Sequence, residues 1–204
     1  ASTTDDDVCY GIETPVDYAA IEGKLNLNNL KYLVDAMSAC IIENEVPFCE
    51  LDSHAGDGDF GMSVAKGFRQ LKREWKEIST NATDMSTFLH ACSMVIMEHC
   101  GGASGPIWGS AFRAASKAIV GKDSLTVADF ADMMQAAVKG IQATGDRSFG
   151  RGAVVGDKTL IDALVPCADA WTESGKNGAS FIDAFKAGAK AAVDGAKATE
   201  KIVA

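Results

Sequence analysis

Long apolar runs, basic clusters, paired cysteines and proline are what this sequence is short of. None of its apolar stretches approaches the roughly 18–20 residues that span a bilayer. Lys+Arg 19 against Asp+Glu 28 leaves a formal charge of −9, and the few basic residues form no patch. Such a balance argues against nucleic acid or an anionic membrane as the main partner. Six cysteines occur, at 9, 40, 49, 92, 100 and 167, with no C-x-x-C and no zinc-type spacing. They read as reduced core thiols of a cytoplasmic protein. No segment alternates apolar and polar residues for long enough to make a strand. With 204 residues, 47% of them apolar, the chain can bury one sizeable core.

What is present is helical periodicity. Leu30, Val34, Met37 and Ile41 share one face, and the pattern predicts a helix ending near Asn44. A second helix is predicted from Met62 to about Ile78, striped by Val64, Phe68, Leu71 and Trp75. Phe88, Cys92, Val95 and Ile96 mark a third, ending at Gly101-Gly102. Pro106 suits the first turn of a fourth, reaching about Val120. Thr126 and Asp129 form a capping box for a fifth, faced by Phe130, Met133 or Met134, Ala137 and Ile141. Thr159 opens a sixth, with Leu160, Leu164, Ala168 and Trp171 on one side and a bend expected at Pro166. Ser180–Ala204 makes a seventh. The expected class is therefore all-α, with antiparallel helices. Residues 1–24 read as an irregular arm and 25–204 as the helical domain. The stretch from Gly145 to Lys158 is expected to be one long glycine-rich connection.

The sharpest motif is LDSHAGDGDFG, residues 51–61. Its formal G-x-G-x-x-G follows no strand, and Asp57 and Asp59 stand in the spacer. Two carboxylates beside a pyrophosphate would repel it by about 3 kcal/mol per charge pair, taking roughly 5 Å and an effective dielectric near 20. No G-K-[ST] follows, and the EF-hand count from Asp57 puts Gly61 where a ligand is needed. Asp52, Asp57 and Asp59, spaced D-x4-D-x-D, fit a hard-cation site, because Mg²⁺ takes a few carboxylates and then phosphate oxygens. The plainer alternative makes Asp57 and Asp59 turn formers and helix caps.

Two further glycine loops precede helix starts. GGASGP, 101–106, leaves the amides of Ala103 and Ser104 at a positive helix end, which is either an anion site or an ordinary helix–turn–helix junction. Gly150-Arg151-Gly152 and Gly156-Asp157-Lys158 bring Arg147, Arg151 and Lys158 close in sequence. These cations neutralise phosphate or are solvated, and the sequence does not separate the two.

Taken in order, LDSHAGDGDFGMSVAKGF, GGASGPIWGSAF and GDKTLIDALVP resemble the L subunit of dihydroxyacetone kinase. They equally resemble the C-terminal nucleotide-binding domain of single-chain dihydroxyacetone (glycerone) kinases. The likeness runs from about Leu27 to the C-terminus. It implies a barrel of eight antiparallel amphipathic helices, with the nucleotide at one rim. It implies ADP or ATP as cofactor, with two Mg²⁺ held by Asp52, Asp57 and Asp59. Nucleotide contacts are implied for Phe60, Gly61, Met62, Ser63, Ala103, Ser104, Gly152 and Leu160. No residue is assigned a catalytic role, His54, His90 and His99 included, since phosphoryl transfer rests mostly on positioning and charge neutralisation. His90 is expected to be structural or at the surface.

The implied partner is a ketone-binding K subunit or domain. The phosphate comes from ATP or from a phosphotransferase-system donor, and a homodimer is allowed. Phe60 stands where the family has His, which removes a ring donor to phosphate. The chain stops at Ala204, before a family segment of G-R-A-S-Y type, which implies either truncation or a site closed in another way, and the arm 1–24, starting without Met, points to a fragment or processed chain. These departures motivate an alternative, a non-catalytic member acting as a regulatory partner. A carrier of apolar ligands is a weaker rival, because Met at helical spacing usually packs a core.

Overall fold

The computed structural model describes residues 21, 23–43, 60–102, 104–148 and 155–203, without the side chains of 60–61, 145–148, 155–159 and 199–203. Among the described residues the fold is all-α, with eight helices. They are α1 (Leu27–Glu43), α2 (Phe60–Arg73), α3 (Trp75–Asn81), α4 (Met85–His99), α5 (Ser104–Ala118), α6 (Val127–Ser148), α7 (Val155–Lys176) and α8 (Phe181–Val203). Most of the 1–24 arm lies outside the described residues.

Several helix starts are written in the sequence. Asn26 and Asn29 exchange backbone-to-side-chain bonds of 2.9 Å each ahead of α1. Asp84 and Thr87 form a reciprocal box for α4. The predicted Thr126–Asp129 box caps α6, with bonds of 3.0 and 3.1 Å, and Ser180 accepts from the Asp183 amide at α8. Such caps satisfy amides that have no partner inside the helix.

The predicted stripes form the core. Val64, Phe68, Leu71 and Trp75 are buried, as are Phe88, Cys92, Val95 and Ile96. Met133 is buried, while Met134 is only partly so. Trp171 packs among Phe130, Phe181 and Phe185, with ring centroids 4.3–6.0 Å away. His90 is exposed, as expected.

Two expectations change. The helix predicted from Met62 to Ile78 is two helices, because Glu74 turns the chain at φ −91°, ψ 2°. Bonds from Glu74 N–H to Gln70 C=O and from Ile78 N–H to Glu74 C=O span the turn, so the apolar stripe crosses it in phase. The connection expected from Gly145 to Lys158 is shorter, since α6 runs to Ser148 and α7 starts at Val155, leaving 149–154 outside the described residues.

Apart from α2 and α3, which continue one another across Glu74, the described helices that pack side by side run antiparallel. Lys72 near the end of α2 pairs with Asp35 at the middle of α1, and Lys31 nearer the start of α1 reaches Ser79 C=O in α3. Ser86 at the start of α4 donates to Ser116 C=O near the end of α5. Gly175 near the end of α7 lies against Ala128 at the start of α6. Leu25 and Leu125 exchange backbone bonds of 2.8 and 2.7 Å in an isolated bridge, which puts the starts of α1 and α6 at one end of the bundle. The starts of α2, α5 and α7 then lie at the opposite end.

Candidate functional site

That opposite end holds the starts of α2, α5 and α7, the described parts of the predicted site segments. Residue 59 directly precedes α2, and Ala103 directly precedes α5. The two helix starts meet through one backbone bond, Gly101 N–H donating to Ser63 C=O at 3.1 Å. A Cβ on Gly101 would lie 3.2 Å from Ser63 Oγ, so the glycine loop rests directly on the first turn of α2. Gly102 has φ +55°, a left-handed turn that glycine adopts without strain, and it swings the chain from α4 into α5. Neither the first turn of α2 nor that of α5 carries an acidic residue. Two positive helix ends are therefore side by side, uncompensated within their own first turns.

The individual predictions fall as follows. Phe60 and Gly61 open α2 by their backbone. Met62 is 58% exposed, and Ser63 is half-buried. Ser104 is the first residue of α5 and is buried. Leu160, in the second turn of α7, packs half-buried against the core. Asp52, Asp57, Asp59, Ala103, Gly152 and His54 lie outside the described residues. Among the described residues no group of three acidic, His or Cys side chains would hold a metal, and Asp52, Asp57 and Asp59 are not among them. Arg147 and Lys158 fall within α6 and α7 rather than in a loop.

Buried polar groups supply what the sequence did not reveal. Lys72 and Asp35 form an ion pair with fully buried side chains. The Lys72 ammonium also sits 5.9 Å from the Trp75 ring centre. Lys31 reaches Ser79 C=O at 2.8 Å, and burial pulls its pKa below the usual lysine value. These contacts fix α1 against α2 and α3 and so hold the helix that begins at the site.

Two of the described thiols, Cys92 and Cys167, are shielded by burial. Both are free thiols, as expected. Burial pushes the Cys92 and Cys167 thiols up, so they are poor nucleophiles. An apolar pocket of about 210 Å³, lined by Leu30, Met37, Trp108, Phe112, Met133 and Leu164 among others, opens between the helices. Its α6 lining, Phe130 to Ala137, belongs to the half of α6 remote from the α2–α5 junction.

Residues 54–204 match the family model described as DAK2 domain. The chain is 29% identical over 168 residues to "PEP-dependent dihydroxyacetone kinase 2, ADP-binding subunit DhaL" of Listeria innocua, covering 79% of the chain and 75% of that relative. It is 35% identical over 122 residues to "PTS-dependent dihydroxyacetone kinase, ADP-binding subunit DhaL" of Lactococcus lactis, covering 60% of the chain and 57% of the relative. With "L-erythrulose kinase" of Pectobacterium atrosepticum it shares 27% over 170 residues, 83% of the chain but 28% of that longer protein.

Proposed function

The chain belongs to the DAK2 domain family, and from that membership we propose that it is the nucleotide-binding subunit or domain of a kinase acting on dihydroxyacetone or a similar small ketose. The observation that carries the reading is the Ser63–Gly101 bond, which sets the α2 and α5 starts side by side at one end of the bundle. Backbone amides there are directed at the polyphosphate of ADP or ATP, and their fixed dipoles need no reorganisation when charge shifts during transfer. Met62 and Ser63 lie on the α2 side of the nucleotide, Ser104 on the α5 side and Leu160 on α7.

An acidic loop beside a polyphosphate is tolerable only with cations between them. Asp52, Asp57 and Asp59 supply hard oxygen donors of the kind Mg²⁺ takes with phosphate. When bound, the metal ions neutralise charge on the transferring phosphoryl group. The chain's own work is to hold and orient the nucleotide tail, while a separate K-type subunit or domain presents the ketose. Relatives named PEP-dependent and ADP-binding favour a bound nucleotide that is recharged by a phosphotransferase partner.

Titration calorimetry tests this. Binding of ADP should need Mg²⁺ and should be lost in Asp57→Ala. Metal-independent binding, or an unchanged Asp57→Ala variant, overturns it. Phosphorylation of dihydroxyacetone on adding a K component separates a working kinase from a regulatory relative.

A further inference from the structure

We propose that Gly67 and Cys100 are positioning residues that set the gap between the first turns of α2 and α5. The inference rests on the nucleotide-binding reading above. Neither residue is among the expected nucleotide contacts, so both would act through Ser63 and Ser104.

Gly67 lies one helical turn after Ser63, on the same face of α2. A Cβ there would run into Cys100 Sγ and come within 3.0 Å of the Cys100 nitrogen and 3.3 Å of its Cα. The missing side chain is thus the space that Cys100 occupies. The thiol in turn donates to Val64 C=O at 3.6 Å. The next residue, Gly101, donates to Ser63 C=O. From the other side, a Cβ on Gly105 in the first turn of α5 would meet Met97 C=O at 2.9 Å and Cys100 C=O at 3.0 Å. Cys100 is therefore held between α2 and α5, with backbone rather than flexible side chain on both sides. A methyl group at Gly67 has to displace the Cys100 thiol and crowds the Cys100 backbone, which must give by a few tenths of an ångström together with Gly101. Shifts near 1 Å can cost as much as 100-fold where groups must converge on one ligand.

The test uses the whole chain and two readouts, calorimetric Kd for Mg²⁺·ADP and hydrogen exchange at the Gly101 amide. Gly67→Ala should weaken binding about 10-fold or more and speed Gly101 exchange. Removing the thiol as well, in Gly67→Ala/Cys100→Ala, should recover part of the affinity, a coupling expected only between residues in contact. Gly188→Ala, a methyl added at a packing contact with Trp171, should lower Tm while leaving Kd within about twofold.

A folded Gly67→Ala that binds and exchanges like the unaltered chain overturns the proposal. So does a Gly188→Ala that weakens binding equally. Should Gly67→Ala fail to fold, Cys100→Ala alone decides, since faster Gly101 exchange with weaker binding supports the proposal and no change in either sinks it. If the unaltered chain binds no Mg²⁺·ADP, the nucleotide reading fails first and takes the positioning role with it. Failure confined to the variants leaves that reading standing.

Discussion

Two of the helix crossings that depend on glycine differ in what the glycine lies against. At the α2–α4–α5 junction the neighbours of Gly67, Gly101 and Gly105 are Cys100, Ser63 and the carbonyls that end α4. Between α7 and α8 the neighbours are the Trp171 ring for Gly188, and the Asp162 carbonyl and Pro166 ring for Gly195. The first crossing brings loop backbone onto a helix start. The second lets two long helices touch along their sides. Equal steric demand therefore has unequal functional meaning, and stability and ligand binding should separate when each crossing is disturbed.

The largest effect should come from neither glycine set but from the ion pair that anchors the far end of α2. Asp35→Ala leaves the buried Lys72 ammonium without its carboxylate and should cost about 3–5 kcal/mol in urea unfolding. A Lys72→Met/Asp35→Leu pair should recover most of it, since well-packed apolar replacements of buried pairs are often neutral. Gly195→Ala comes next, because backbone carbonyl and a proline ring cannot yield as a flexible side chain does. A loss of about 1–3 kcal/mol is expected, with Mg²⁺·ADP affinity unchanged at temperatures where the chain stays folded. A binding defect in Gly195→Ala would erase the distinction between the crossings.

Thr126→Ala should cost about 1 kcal/mol by removing the α6 cap. That cap has a pH signature. The Thr126 amide, bonded to its carboxylate, holds the Asp129 pKa below the ordinary value, with smaller help from Lys122. The stabilisation is present in full above the unfolded aspartate value near 3.9. It fades as pH falls through the lower folded value. Acid unfolding curves of Asp129→Asn should converge with those of the unaltered chain at low pH. The smallest effect is chemical. Under native conditions an alkylating reagent should modify exposed Cys40 well before buried Cys92, whose thiol is pushed up by burial. Equal rates at the two would show the core opening readily.

Local pattern made most of the fold legible. The stripes through Leu30, Phe68, Phe88, Phe130 and Trp171 fell on buried faces, and the Thr126–Asp129 box stood where residue types required. The turn at Glu74 was not legible, because apolar phase and backbone bonding both continue across it. Nor was the helical extension to Ser148 or the start at Val155, since Gly145 and Gly156 there carry low helix propensity. The Lys72–Asp35 pair joins residues distant in sequence, and nothing local to either names the other. The segments of the candidate site were legible from their order and spacing. That Ser63 and Gly101 bond directly was not, since nothing in either segment names its partner.

The small bridge between Leu25 and Leu125 bears on how the molecule assembles. It closes a loop from residue 25 to residue 125, and joining ends so far apart costs roughly 4 kcal/mol of chain entropy. Two backbone bonds do not offset that alone. They gain by forming once the intervening helices have condensed, which makes the bridge a late latch in folding rather than a seed.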